Sequence, residues 1–165
     1  MSNYTVPGID ENDAKKLIDE LQARLTDFND LHLILKHAHW NVTGPNFIAV
    51  HEMIDPQVEL VRGFADEVAE RVSTLGGSPV GTPAGHIENR TPLTYETNRG
   101  STQDHLAELN KVYTRVIEGV RESRAIAGDL DAITEDILIA QASELEKFQW
   151  FVRAHLEDAQ GNLPQ

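Results

Sequence analysis

The strongest constraint on this chain is a spacing. Leu17, Leu21, Leu25, Phe28, His32, Leu35 and His39 recur every three or four residues, which aligns them on one side of an α-helix but on no common face of a strand. An apolar stripe of that length has to be buried against another element. Three further stretches keep the same rhythm: Ile54, Val58, Val61, Ala65, Val68, Val72 and Leu75; then Leu106, Leu109, Tyr113, Val116 and Val120; then Ile133, Ile137, Leu145, Phe148 and Val152. Four long helices, each with one apolar face, can satisfy one another as a bundle.

The breaks between these stretches are equally legible. The first helix ends near "NVTGPN", and "GGSP" from Gly76 stops the second. Ser101 can cap the third, with Asp104 three residues on, and "AGDLD" interrupts around Gly128. Gly161 and Pro164 prevent continuation of the fourth. Between the second and third helices, the segment from Ser78 to Gly100 carries Pro79, Pro83, Pro92 and three glycines. It reads as a long crossover, mostly irregular, with room for one short helix. Two helical hairpins joined by a long crossover give an all-α, four-helix bundle of the ferritin-like kind. A single domain over residues 1–165 is expected, with an N-terminal tail at 1–12 and a C-terminal tail at 159–165.

Composition narrows the chemistry. The chain has no cysteine, which excludes disulfides, thiolate zinc sites and thiol catalysis. Any metal would be held by His, Asp or Glu. Fourteen basic residues face twenty-seven acidic ones, a net charge of −13, which opposes an electrostatic grip on nucleic acid and suits cations. Acidity also serves plain solubility. No apolar run approaches the roughly 18 residues that a bilayer span requires, and the opening "MSNYTVPGIDENDAKK" lacks a signal-peptide pattern. A cytoplasmic location and no membrane partner are the expectations.

The second helix concentrates the candidate ligands. At about 100° per residue, His51, Asp55, Asp66 and Glu70 share an arc of roughly 100° beside the apolar stripe. Along the axis, Asp55 and Asp66 are about 16 Å apart, far beyond metal–ligand bonds of roughly 2.0–2.6 Å. One helix cannot close a single site from both pairs. A second copy laid antiparallel across a two-fold axis would bring Asp66 and Glu70 of one chain opposite His51 and Asp55 of the other, with His39 at hand. Simpler readings stand beside this one. An isolated histidine on an apolar stripe, such as His32 or His39, is ordinarily a hydrogen-bonded core residue. Asp66 and Glu70 could form a solvated face, with Arg62 and Arg71 available to Glu70. Asp55 and Pro56 could cap and open a helix.

The stretch "KHAHWNVTGPNFIAVHEMIDPQVELVRGFADEVAERVSTLGGSPVGT", from Lys36 to Thr82, resembles the core signature of the Dps family, the mini-ferritins named DNA-binding proteins from starved cells. "RTPL" at Arg90, "QDHL" at Gln103 and "LEKFQWF" at Leu145 resemble family blocks in the same order. The resemblance implies a hollow homododecamer of four-helix subunits with a short extra helix in the crossover. It implies ferroxidase chemistry, in which Fe²⁺ is oxidised by hydrogen peroxide or O₂ and stored as ferric mineral, protecting against oxidative damage. No organic cofactor is implied. Carried over by position, the ligands are His39, His51 and Asp55 of one subunit with Asp66 and Glu70 of its two-fold partner. Trp40 matches an aromatic beside that site, and equally suits interface packing.

Two departures qualify the resemblance. Pro56 falls inside the second helix if that helix begins near Asn46, which would kink the chain beside Asp55. The tails lack the Lys- and Arg-rich character with which family members often hold DNA, since Lys15 and Lys16 are set against Asp10, Glu11 and Asp13. DNA binding is therefore not expected. Asp129, Asp131, Glu135 and Asp136, at the junction of the third and fourth helices, could line a three-fold channel for Fe²⁺ or could simply cap and favour a helix start. The alternatives to a ferroxidase are a nucleoid-binding assembly without strong iron chemistry and a hydrolase whose metal activates water.

Overall fold

In a computed structural model, described over residues 6–91, 93–158 and 160–163, the chain folds as helices α1 (Glu11–Asn41), α2 (Phe47–Thr74), α3 (Pro83–Asn89), α4 (Thr102–Gly128) and α5 (Ala132–Leu156). The expected all-α bundle is present, with the short extra helix in the crossover as α3. Residues 1–5 of the expected N-terminal tail, Pro92, and Ala159, Pro164 and Gln165 of the expected C-terminal tail lie outside the described residues. Among the described residues, no helix is long and apolar enough to cross a membrane.

Three of the four long helices start where a side chain satisfies free N–H groups, whereas Asn46 at the start of α2 makes no side-chain cap. The Asp10 carboxylate accepts from the amides of Asn12 and Asp13 at 2.9 and 3.0 Å, so α1 begins at Glu11, inside the span expected as tail. Ser101 and Asp104 bond reciprocally in a capping box at the start of α4. Asp131 caps α5 by accepting from Ile133 and Thr134.

α1 packs along α2 and α4 along α5, and the two hairpins close on each other chiefly through α1 and α4. The core joins the expected stripes: Leu17, Leu21, Leu25, Phe28 and Leu35 meet Ile54, Val58, Val61, Val68 and Val72, and across the bundle Leu106, Leu109, Val116 and Leu145. Two stripes differ in phase from the reading of the sequence. On α1 the core line runs through Leu31, Leu35 and Ala38, leaving His32 half-buried at its edge. On α5 it runs through Thr134, Leu138, Gln141, Leu145, Phe148 and Val152, so Ile133 is 62% exposed and Ile137 only partly covered. Gln141, polar yet fully buried, hides the true phase, because its amide is accommodated by donating to Glu67 of α2 at 2.7 Å.

The crossover returns to the end of α1. Val42–Thr43 (β1) pairs in parallel with Gly100–Ser101 (β2), with Val42 opposite Gly100 and Thr43 opposite Ser101. This two-residue ladder carries no hydrophobic pattern of its own. Thr102 adds a hydrogen bond to the Pro45 carbonyl at 3.1 Å, which fastens the start of α4 to the α1–α2 turn.

Candidate metal centre

The turn between α1 and α2 positions the first candidates. Gly44 at φ +92° and Asn46 at φ +63° take left-handed conformations, which Gly and Asn tolerate better than other residues. The reversal sets the last turn of α1 beside the first turns of α2. α2 begins at Phe47, so Asp55 and Pro56 do not start the helix, and Pro56 lies in its interior. Its ring removes the donor that the Glu52 carbonyl would otherwise use. Both residues are exposed, so water can satisfy that carbonyl.

His39 and His51 face each other with ring centroids 3.6 Å apart and planes inclined by 21°. Their contacts are reciprocal. The His39 Nδ1 donates to the His51 carbonyl at 3.0 Å, and the His51 Nδ1 donates to the His39 carbonyl at 2.9 Å. A carbonyl oxygen only accepts, so each Nδ1 carries the ring proton and each Nε2 keeps its lone pair. Among the described residues neither Nε2 makes a hydrogen bond. Backbone acceptors that lock imidazoles in this tautomer are the usual support of histidine metal ligands.

Asp55 lies next to this pair. One of its oxygens lies 3.3 Å from the His39 Nδ1 and 2.9 Å from the Lys36 ammonium. The hydrogen bond from Lys36 holds the Asp55 carboxyl below the usual carboxylate range. The Lys36 ammonium also sits 5.8 Å from the centre of the Trp40 ring, which is 71% exposed. Lys36 was missed by the sequence reading. It stands one turn before His39, at the opening of "KHAHWN", but nothing in one sequence shows that a cation on α1 meets a carboxylate on α2.

Asp66 and Glu70 stay apart from this cluster, exposed farther along α2. Neither carboxylate forms a hydrogen bond or ion pair among the described residues. The arginines that could have paired with Glu70 are engaged elsewhere, Arg62 with Glu59 and Arg71 with Asp131. Within one chain, no three His, Asp or Glu side chains of the described residues converge on a metal-sized site. The chain thus presents two separate groups of candidate ligands, His39 and His51 with Asp55 where α1 meets α2, and Asp66 with Glu70 farther along α2.

Against known proteins, the ferritin-like domain model matches residues 18–161. The DNA protection during starvation protein of Mycolicibacterium smegmatis is 60% identical over 163 residues, covering 99% of this chain and 89% of that one. The chain belongs to the Dps family. Its fold matches the tetragonal form of Mycobacterium smegmatis Dps at a TM-score of 0.97, with 59% identity over the whole of both chains. A Dps from Microbacterium arborescens, solved in a high iron form, matches at 0.84 with 26% identity, covering 89% of this chain and 96% of that one.

In this Dps the acidic residues at the α4–α5 junction have separate roles. Asp131 caps α5 and pairs with Arg71 at 2.6 Å, with both side chains 9% exposed. Glu135 pairs with Arg124 at 2.6 Å. Asp129 ends α4 and Asp136 is exposed just past the first turn of α5. A second cluster lies in the crossover, where the buried Asp30 accepts from the His86 Nε2 at 2.8 Å and from Arg90 at 2.9 Å, fastening α3 to α1.

Proposed function

We propose that this Dps is a ferroxidase and iron-storage subunit that assembles as a homododecamer. Each iron site would be built from His39, His51 and Asp55 of one copy and Asp66 and Glu70 of its two-fold partner. The observation that carries this reading is the reciprocal His39–His51 pairing, which leaves two Nε2 lone pairs free while Asp55 lies against the Nδ1 edge of His39. The unpartnered Asp66 and Glu70 on the same helix support a second copy as the source of the remaining ligands. Iron is the substrate and cargo. Imidazoles suit Fe²⁺, and hard carboxylates favour the Fe³⁺ product. Two Fe²⁺ give one electron each to hydrogen peroxide, which takes up two protons and leaves as water. Consuming both reagents together limits hydroxyl-radical formation and so protects the cell from oxidative damage. Trp40 would sit at the rim of the site, and O₂ is the alternative oxidant.

The test is anaerobic addition of Fe²⁺ and then hydrogen peroxide, followed by size separation. Ferric absorbance should rise and iron should elute with protein at about 221 kDa, twelve copies of an 18.4 kDa chain. A shell of that size that leaves the iron ferrous would refute the chemistry and keep the assembly.

Lys36 would have to yield Asp55 to the metal. Lys36→Met is expected to tighten the binding of Zn²⁺, a redox-inert surrogate, by up to about fivefold, the scale of a partly exposed ion pair. Calorimetric titration reads this directly, and an unchanged or weaker affinity would show that Lys36 does not compete. DNA binding is not part of the proposal. Twelve copies carry about −156 charges, twelve times the −13 of one chain, and plasmid should run unretarded in a low-salt gel shift.

A further inference from the structure

Beneath β2, two aromatic groups form a pair that the iron site does not use. His105, on the first turns of α4, is fully buried. The Tyr95 hydroxyl lies 2.5 Å from its Nδ1, and the backbone carbonyls of Asn98 and Asn41 draw the ring proton to the other nitrogen, so the hydroxyl donates. The two rings lie 6.0 Å apart at 28°, and His37 closes the other side of Tyr95 edge-on at 5.7 Å. With Nδ1 accepting, the neutral ring carries its proton on Nε2, which is buried and meets neither carbonyl in full hydrogen-bond geometry. Tyr95 is half-buried and lines a groove of about 860 Å³ that also touches His32, His86 and Arg90. His105 does not reach that groove. The phenol is therefore the accessible member of the pair and the imidazole the shielded one.

We propose that Tyr95 and His105 form a proton-coupled electron-donor pair, which gives one electron to the one-electron oxidants that arise when hydrogen peroxide meets Fe²⁺. The step balances within the hydrogen bond already present. Tyr95 loses an electron to the oxidant, and its phenolic O–H bond breaks. The proton moves to the lone pair of His105 Nδ1, leaving a neutral phenoxyl radical and an imidazolium. A hydroxyl radical that takes the electron becomes hydroxide.

Surroundings of both groups favour this route over simple deprotonation. Burial pushes the Tyr95 hydroxyl well above its ordinary value, so no phenolate is available to lose the electron alone. Burial likewise disfavours a charged His105, but the backbone carbonyls of Asn98 and Asn41 and the carboxylate of Asp104 act the other way and would stabilise the imidazolium. Tyr113 supplies the contrast inside the same molecule. It is fully buried and donates to the Gln57 amide oxygen at 2.6 Å, a group that cannot take a proton at neutral pH. Of the two described tyrosines, only Tyr95 rests on a base.

This inference goes beyond the ferroxidase reading, and its test contains no iron, so either can fail without the other. The assembled protein is oxidised with flash-generated tris(bipyridine)ruthenium(III), an outer-sphere one-electron acceptor, then frozen for electron paramagnetic resonance. A phenoxyl signal is expected that disappears in Tyr95→Phe and survives in Tyr113→Phe. The second variant also loses a buried tyrosine hydrogen bond, so it separates chemistry from a general loss of structure. His105→Gln, which can accept the hydrogen bond but not the proton, should lower the radical yield at least about tenfold. Should His105→Gln not fold, the native protein still decides the matter. Its radical must show a hydrogen-bonded proton that vanishes from the double-resonance spectrum after exchange into D₂O. A signal that persists in Tyr95→Phe, that moves with Tyr113, or that lacks the exchangeable proton overturns the proposal, as does the absence of any phenoxyl radical.

Discussion

Shells reassembled from an equal mixture of two inactive variants, His51→Ala and Glu70→Ala, should regain iron oxidation. In a shell of either variant alone, every shared site lacks one ligand, and its rate should fall at least about tenfold, the scale seen even when only a supporting group of a metal site is lost. When the two chains pair, one of the two sites across the two-fold axis collects both substitutions and the other collects neither. Random pairing makes half of the pairs mixed, so about a quarter of all sites become intact. The measurement is the initial rate of ferric absorbance in the mixed shell against each parent, after size separation confirms closed assembly. Mixed shells no faster than their parents would mean that the ligands do not divide between copies in this way. A Glu70→Ala shell that oxidises iron at the native rate would remove Glu70 from the site altogether.

Asp131→Ala should cost about 3–5 kcal/mol of stability, because it strands the Arg71 guanidinium at 9% exposure without its counter-charge. It also removes the α5 cap. Asp131→Asn should recover the capping part of that loss and not the charge pairing. The pH dependence has a definite sign. Burial alone would raise the Asp131 carboxyl, but hydrogen bonds from Thr134 and Arg71 outweigh it and hold the group below its ordinary 3.8. A carboxyl depressed on folding adds stability that is fully present above 3.8 and is lost as pH falls below it toward the folded value. Denaturant titrations between neutral pH and about pH 3 should therefore converge for the native protein and Asp131→Ala as the medium becomes acid. A variant of native stability with slower iron uptake would instead place Asp131 in an ion path.

How much was visible beforehand differs from residue to residue. Leu17, Leu21, Leu25 and Phe28 announced the α1 core because their period is local and nothing polar interrupts it. On α5 the same logic slipped by one residue. Ile133 and Ile137 looked like core, whereas Thr134, whose hydroxyl donates to Asp131, and Gln141, whose amide nitrogen donates to Glu67, take the buried line. Satisfaction of a buried polar group depends on a partner 74 residues away in the case of Gln141, which no periodicity encodes. The site divides in the same manner. His51, Asp55, Asp66 and Glu70 could be placed on one face, and their axial separation means that any single site they share needs a second copy, from helix geometry alone. The return of α1 onto α2 that stacks His39 on His51, and the intrusion of Lys36 on Asp55, were invisible.

The sequence by itself determined four helices, their order, the long crossover and the face that carries the candidate ligands, because those follow from spacing within a single helix. Tertiary structure alone decided which imidazole nitrogen is free, which arginine answers Asp131, which tyrosine meets a histidine and how Pro56 is accommodated. These depend on contacts between segments far apart in the chain. Their energies come from distances of a few ångströms that only the packed bundle defines.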